Sequence, residues 1–556
     1  MELVNNMYLF DSQSKNLHKY IQIGMYLFLI GFLIPQESRS QSNKSESNKS
    51  QPNIVLILVD DMGYSDIGAF GSEIETPNID ALSAQGLSMT HFYSAAKCET
   101  TRASLMSGLH HQQADSVFGG GYRNMLAHNE NNVTIPELLR DGGYETIMSG
   151  KWHLGNWLEL EGTPVDRGFD HYFGHLSGAI NYFTGEGWAT GEPDIWMGKE
   201  PYDIPENFYS TDAFTDYAID QMDQSVANAN PFFLYLSYNA PHFPLQVPQE
   251  NIDKYLEKGT YKKGWDRIRE QRYERMKNLG IIDHEWVLTE RDTLVPVWVS
   301  LKPGQQEEEE LLMATYAGMM DRLDQQIGRV LQRLSQLGID NNTIIMFMSD
   351  NGANPFDFNR TPGKDPGPAE SERWYNVEWA NVGNTPFRKY KQWQHEGGIS
   401  TPLIIRWPEV IQPGSWSEST GHVLDIMPTL LDISGISYPD RFAGNDILPM
   451  EGESLYPVLK GDMDWSRSPV IYEFSGNRFV KEDEWKLVAQ VGDSWELYNL
   501  RSDRTETKNL IDQYPDRVKR MAKMYEDWAM RVGAMPNKEA MEMPLNTRAH
   551  FTFETN

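Results

Sequence analysis

Asn53-Ile54-Val55-Leu56-Ile57-Leu58-Val59-Asp60-Asp61 is an apolar run that stops abruptly at two adjacent carboxylates. A strand with one wet face alternates apolar and polar residues. This run does not alternate, so it predicts a strand buried on both faces, as in a parallel sheet. The same signature recurs at Thr343–Met348, which ends in Ser349-Asp350-Asn351-Gly352, at Pro231–Leu236, and at Leu403–Ile405 before Arg406-Trp407-Pro408. Amphipathic helical patterns lie between these runs. The clearest is Leu311–Leu334, with Tyr316, Met319, Met320, Leu323, Ile327, Val330 and Leu334 on one face, and Val133–Leu139 and Val423–Ile433 also read as helices. Strands alternating with helices predict an α/β fold: a large, mostly parallel sheet sandwiched by helices.

The tail has a different rhythm. Val470–Phe474, Arg478–Gln490 and Trp495–Leu500 are short strand segments broken by turns at Ser475-Gly476, Lys481–Glu484 and Gly492-Asp493, and a helix follows over Pro515–Val532. Strands this close in sequence pair antiparallel. The expected organisation is therefore a catalytic domain over 53–465 and a small C-terminal α+β subdomain with an antiparallel sheet over 466–556. At the other end, Lys15, His18 and Lys19 precede an apolar stretch over Ile21–Pro35. That stretch is short for a membrane span and reads as the core of an export signal, placed at 1–36, with a polar, flexible linker over 37–52. No cysteine lies near the cleavage region, which argues against a lipid anchor. The expected location is the periplasm or the exterior, with no stable membrane insertion.

The chain has 556 residues and a net charge of −30. Such an acidic chain lacks the basic stripe of a nucleic-acid binder. It also repels polyanions at long range, so an anionic substrate requires a local basic pocket. There is one cysteine, so no intramolecular disulfide forms.

In parallel sheets, active sites gather at the carboxyl ends of strands. Two strands here end in Asp60-Asp61 and Asp350-Asn351, which are hard oxygen donors of the kind Ca²⁺ or Mg²⁺ takes. By themselves these residues are equally compatible with turns or helix caps. The segment around the cysteine is more specific: Ala95-Ala96-Lys97-Cys98-Glu99-Thr100-Thr101-Arg102-Ala103-Ser104-Leu105-Met106-Ser107-Gly108. It resembles the signature of the formylglycine-dependent sulfatases of the alkaline-phosphatase-like superfamily, Cys-x-Pro/Ala-x-Arg with a Leu-x-Thr-Gly-like close. Cys98, Arg102 and Ser107-Gly108 match, and Thr100 stands where the family has Pro or Ala. The second family signature matches Gly143-Tyr144-Glu145-Thr146-Ile147-Met148-Ser149-Gly150-Lys151-Trp152-His153-Leu154-Gly155. Pro241-His242, Ser349–Gly352 and Lys391 followed by Glu396-Gly397-Gly398 match further motifs in the family's order, and the Trp485-Lys486 and Leu497-Tyr498 stretches resemble its C-terminal domain.

The resemblance implies an alkaline-phosphatase-like fold and sulfate-ester hydrolysis. It implies that a formylglycine-generating maturation enzyme oxidises Cys98, and that the aldehyde hydrates to a diol. One hydroxyl attacks sulfur and the other then expels sulfate. It implies one Ca²⁺ held by Asp60, Asp61, Cys98, Asp350 and Asn351. Arg102 would steady the diol, Lys151 and Lys391 would hold sulfate oxygens, and His153 would be the base that collapses the diol. His242, with Lys391 sharing the role, would protonate the leaving oxygen. The implied substrate is a sulfated carbohydrate or other small sulfate ester, with algal polysaccharides among the candidates. Two alternatives stand beside this one: a phosphate or phosphonate monoester hydrolase on the same scaffold, and a non-catalytic ligand-binding relative whose cysteine stays a thiol. Two long insertions, 247–302 and 354–384, are a further expectation. The second carries Trp374, Tyr375 and Trp379, and reads either as a cleft wall or as an ordinary lid.

Overall fold

The computed structural model of the chain describes residues 51–114, 126–127, 131–462 and 464–534. The expected export signal and nearly all of the linker lie outside the described residues. Among the described residues no helix is long and apolar enough to cross a membrane.

The Asn53–Val59 strand lies in the interior of a large sheet, between Thr343–Ser349 on one side and Phe232–Ser237 on the other, and both pairings are parallel. Glu145–Lys151 and then His171–His175 extend the parallel set beyond Phe232–Ser237. Ile54 to Val59 are fully buried, because both faces of the strand are covered. Each such side chain contributes about 2 kcal/mol of hydrophobic stabilisation. The sheet separates two hydrophobic clusters. Val55, Ile57 and Val59 face one of them, and Ile54, Leu56 and Leu58 face the other.

One strand departs from expectation in direction. Ser400–Arg406 runs antiparallel to both of its neighbours, Thr343–Ser349 and Leu87–Tyr93. A short apolar run reports burial on both faces and carries no information on direction. The Leu311–Leu334 pattern lies within one long helix, Pro303–Gln336, with its apolar face in the first cluster. The insertion over 247–302 forms the helices Gln249–Lys258 and Gly264–Leu279. Arg272 on the second of these is buried and pairs with Asp66 and Glu73.

The tail forms a four-stranded antiparallel sheet, Val470–Phe474, Asn477–Glu482, Trp485–Ala489 and Glu496–Asn499, followed by the helix Pro515–Val532. This sheet is joined to the Glu-Gly-Gly segment by buried charge. Lys486 Nζ lies 2.8 Å from Glu396 and 2.9 Å from Glu506, and Arg504 Nε lies 2.9 Å from Glu396. Burial pushes the Glu396 carboxyl up, but Lys486 and then Arg504 outweigh it and bring it down to about 2. The two glycines that follow sit where backbones touch. A Cβ on Gly397 would lie 2.3 Å from the Lys389 carbonyl oxygen, and one on Gly352 would lie 1.9 Å from that of Gly397.

Removing one partner from a buried ion network leaves the other charges uncompensated, at a cost of about 3–5 kcal/mol. Lys486→Met is therefore expected to lower unfolding stability by about that amount in urea titration. A loss under about 1 kcal/mol would show that the network does not anchor the C-terminal sheet.

Candidate active site

In-register pairing carries Val59 alongside Ser349, so the next residues, Asp60-Asp61 and Asp350-Asn351, leave the sheet side by side. The Asp61 amide donates to Asp350 Oδ1 at 3.2 Å, and the Asp350 amide donates to the Val59 carbonyl at 3.0 Å. Oxygen atoms of Asp60, Asp61 and Asp350 lie within 4.8 Å of one another, all buried. Three cations answer them. Lys151, at the end of Glu145–Lys151, places Nζ 2.5 Å from Asp60 Oδ2, and Lys391 places Nζ 2.5 Å from Asp61 Oδ1. Arg102 Nη2 sits between Asp60 and Asp350, at 3.4 and 3.2 Å. Its Nη1 is fixed by the Lys151 carbonyl at 2.9 Å and by the Ser237 hydroxyl.

Burial pushes the Asp60 carboxyl up, but Lys151, then His242 and Arg102, hold it well below the usual carboxylate range. Asp350 behaves oppositely: burial first, and then the Asp60 charge, push it up to about 8. A carboxyl in that position gains from additional positive charge. Asp60 Oδ1 and Asn351 Oδ1 are buried with no hydrogen-bond partner among the described residues. The Asn351 amide nitrogen donates to Asp61 Oδ1 at 2.7 Å and to the Gly352 carbonyl at 2.8 Å, which turns its oxygen free of the backbone. Hard oxygen donors, two of them unpartnered among the described residues, beside a carboxyl that burial and Asp60 push up, fit a divalent cation.

Cys98 opens the buried helix Cys98–Ser107, and its sulfur lies within 4.8 Å of ligand atoms of Asp60 and His242. Its Sγ lies 3.4 Å from Glu99 Oε2, and burial pushes the thiol up to about 12. An unmodified thiol there is a poor nucleophile. Thr100, where the family signature has Pro or Ala, donates its hydroxyl to the carbonyls of Ala95 at 2.8 Å and Lys97 at 3.0 Å. Thr101 ties the same turn to the Asp350 carbonyl at 2.7 Å. The Thr100 side chain is thus accommodated within the turn that presents Cys98.

The two histidines lie on either side. His153 is half-buried, shares a close cluster with Cys98 and Glu99, and has a buried Nδ1 with no partner among the described residues. Desolvation and then Lys151 hold it well below the ordinary histidine range, so its ring is neutral. His242 bonds the Phe243 carbonyl through Nδ1 at 2.9 Å and turns Nε2 to within 3.5 Å of Asp61. A carbonyl only accepts, so Nδ1 carries a proton and Nε2 is the titrating atom. Burial brings His242 down to about 4, with Asp60 opposing. Lys391, by contrast, is driven up by Asp61 against the effect of burial.

All ten residues singled out from the sequence therefore converge in one place. Left-handed backbone at non-glycine residues clusters here too, at Asp61, Ala96, His153, Lys389 and Gln392. Such conformations cost about 1–3 kcal/mol each and concentrate at functional sites. Sequence reasoning missed Glu99, which pairs with Lys97 at 2.6 Å beside Cys98, Ser237, which braces Arg102, and Asn354, which donates to Asp61 Oδ2 at 3.1 Å. Only adjacency to the motifs marks Glu99 and Asn354, and nothing local marks Ser237. The aromatic loop divides. Tyr375 and Trp379 are core residues, stacked on Tyr316 and packed against Trp265 and Trp298, whereas Trp374 is half-buried against Phe243 beside His242.

A mostly parallel sheet whose strand ends bring together carboxylates, lysines, histidines and a buried cysteine suits the hydrolysis of anionic esters. Residues 52–436 match the family model described as Sulfatase, and residues 387–529 match the model described as N-sulphoglucosamine sulphohydrolase, C-terminal. An uncharacterized sulfatase of Schizosaccharomyces pombe is 35% identical over 516 residues, covering 84% of this chain and 91% of its own. An arylsulfatase of Klebsiella aerogenes is 35% identical over 435 residues, 73% of this chain and 92% of its own. The solved structure of Ps i-CgsB in complex with k-i-k-neocarrahexaose superposes with a TM-score of 0.66 at 24% identity, covering 90% of this chain and all of that one. The chain belongs to the sulfatase family and is a sulfuric ester hydrolase.

A ligand that binds only the folded state stabilises it by about 2.7 kcal/mol at a hundredfold excess over its Kd. Millimolar Ca²⁺ added to chelator-treated protein is accordingly expected to raise the melting temperature. Asp350→Asn, which takes away a carboxyl that a bound cation would ionise, is expected to abolish the rise. An equal rise in both proteins would place the cation elsewhere.

Proposed function

We propose that the chain hydrolyses sulfate esters with a formylglycine made from Cys98 and a Ca²⁺ ion held by Asp60, Asp61, Asp350, Asn351 and the modified residue 98. The observation that carries this reading is the convergence of Cys98, Arg102, both lysines and both histidines on the carboxylate cluster. When bound, the cation polarises a sulfate oxygen and lowers the pKa of the attacking hydroxyl. The formylglycine hydrate supplies an oxygen nucleophile that a thiol raised by burial does not.

The remaining roles follow from position and charge. Lys151 and Lys391 bind sulfate oxygens and neutralise the charge that grows on them as the S–O bond to the alcohol breaks. Arg102, fixed by the Lys151 carbonyl and Ser237, holds the nucleophile's surroundings rigid. His153 is neutral and adjacent to residue 98, so it can take the proton of the second hydroxyl. His242, whose Nε2 is the titrating atom, is the acid for the leaving oxygen, a role that Lys391, which keeps its proton firmly, can share. The match of the C-terminal region to a sugar sulphohydrolase model supports a sulfated carbohydrate substrate, with sulfated algal polysaccharides as one source. An exported enzyme, periplasmic or secreted, meets such polymers directly.

Trypsin cuts after Lys97 and Arg102, releasing the peptide that begins at Cys98. In protein from a host with the maturation enzyme, this peptide is expected about 18 Da below the thiol form, as replacing CH₂SH with an aldehyde requires. Matured protein should release sulfate from an aryl sulfate far faster than phosphate from the matched aryl phosphate. Lys391→Ala is expected to lower kcat by about 10²–10³-fold. A thiol in every molecule, or a preference for phosphate, would overturn the reading.

A further inference from the structure

Three loops that leave the carboxyl ends of different strands meet beside His242. Trp188 comes from the loop after His171–His175, Phe243 from the loop after Phe232–Ser237, and Phe358, Arg360 and Trp374 from the loop after Thr343–Ser349. The last three share a face for a backbone reason. The Trp374 amide bonds the Phe358 carbonyl at 2.9 Å, the Arg360 amide bonds the Glu372 carbonyl at 3.3 Å, and Asn359 pairs antiparallel with Arg373. In such a ladder alternate residues point the same way, which puts Phe358, Arg360 and Trp374 together.

The side chains form a continuous wall. Phe243 and Trp374 stack with centroids 3.4 Å apart, Trp188 meets Phe243 edge-on at 5.4 Å, and Phe358 meets Trp374 at 5.4 Å. The Arg360 guanidinium lies 3.5 Å over the Trp188 ring and donates to the Trp188 carbonyl at 2.8 Å. The Phe243 ring is 4.0 Å from that of His242, so the wall begins where the leaving alcohol departs. Packing alone does not account for it. Trp188, Phe243 and Trp374 are only half-buried, Phe358 is 45% exposed, and the Arg360 side chain is 39% exposed. The neighbouring Tyr375 and Trp379 are buried and supply this loop's share of the core. The indole N–H groups of Trp188 and Trp374 have no acceptor among the described residues, whereas a wall built only for packing would use Phe or Leu. Arg360 adds a cationic fork on a chain whose net charge is −30; its Nη1 is 3.6 Å from Glu372 Oε2, beyond hydrogen-bond reach, so the half-exposed guanidinium keeps donors that an anionic ligand can take.

We propose that Trp188, Phe243, Phe358, Trp374 and Arg360 form a subsite on the leaving-alcohol side for a second pyranose ring, joined to the one whose ester is cleaved, that bears its own oxyanion, sulfate or carboxylate. The proposal rests on the sulfate-ester reading of the neighbouring site and extends it to the substrate's second sugar.

Calorimetric titration of the full chain with its cysteine unconverted reads binding without turnover. Three disaccharides serve as probes: κ-neocarrabiose sulfate with one sulfate, ι-neocarrabiose sulfate with two, and a 6-sulfated chondroitin disaccharide with one sulfate and a uronate. Inorganic sulfate is the fourth probe. Phe358→Ala and Trp374→Ala are expected to weaken the disaccharides about tenfold and leave inorganic sulfate unchanged. Arg360→Gln is expected to weaken about tenfold whichever probe carries the second anion it recognises, and to leave the κ disaccharide nearly unchanged. Loss confined to the ι probe identifies sulfate, and loss confined to the chondroitin probe identifies carboxylate. Phe358 is exposed, so its variant tests the wall even where Trp374→Ala does not fold. Unchanged disaccharide affinity in the Phe358 variant, equal loss of inorganic sulfate, or no disaccharide binding by the unaltered chain would each overturn the subsite. Disaccharide binding that responds to these variants, in a protein that once matured releases no sulfate, would instead overturn the sulfate-ester reading and leave the subsite standing.

Discussion

Three buried carboxylates at the ends of two adjacent strands would repel one another enough to oppose the fold that brings them together. Asp60, Asp61 and Asp350 are tolerable because Arg102, Lys151 and Lys391 reach them from three separate segments. Each of those cations is itself nearly inaccessible to water and needs a carboxylate as much as the carboxylate needs it. The cluster is therefore a mutual condition: neither set of charges can be buried without the other. Its surplus is local. Asp350 is pushed up to about 8 by burial and by Asp60, and two side-chain oxygens lack partners among the described residues. The arrangement remains receptive to further positive charge even with all three protein cations in place.

That condition explains which parts of the molecule the sequence disclosed. The Asn53–Val59 and Thr343–Met348 runs were legible because a strand buried on both faces must be apolar throughout, and the acids following them stood out by contrast. Motif spacing located Cys98, Arg102, Lys151, His153, His242 and Lys391. Ser237 was invisible because a serine at a strand end has many uses, and only the three-dimensional approach of Arg102 selects this one. Leu87–Tyr93 was missed because Ser88, Thr90 and His91 break its apolar character, although most of its side chains are buried. The antiparallel direction of Ser400–Arg406 left no mark on its composition, since burial on both faces is the same requirement in either direction.

The C-terminal sheet has a larger part in the site than its position in the sequence implies. Glu396 belongs to the segment that carries Lys391, and Lys486 and Arg504 from the tail hold it by buried ion pairs. Between them, the Gln392 amide bonds the Ala96 carbonyl at 2.7 Å, and Asn477 donates to the Gln392 carbonyl at 3.0 Å. Ala96 lies two residues before Cys98. The turn presenting Cys98, the segment presenting Lys391 and the C-terminal sheet are thus tied through one short stretch of backbone. Glu396 acts as the post on which the Lys391 segment is mounted.

Charge at two scales then has different consequences. Over the whole surface, a net charge of −30 disfavours the approach of any polyanion, and salt at physiological strength screens that effect within about 8 Å. At the site itself the charges are balanced: Lys151, Lys391 and Arg102 offset Asp60, Asp61 and Asp350 where solvent screens neither set. An anionic ester therefore gains nothing from long-range charge, a distribution that suits recognition by fit over capture by long-range attraction. Fit requires surface beyond the sulfate pocket itself. In this chain the half-exposed aromatic wall adjoining His242 is where that surface lies, with Arg360 as its one basic side chain stacked on a ring.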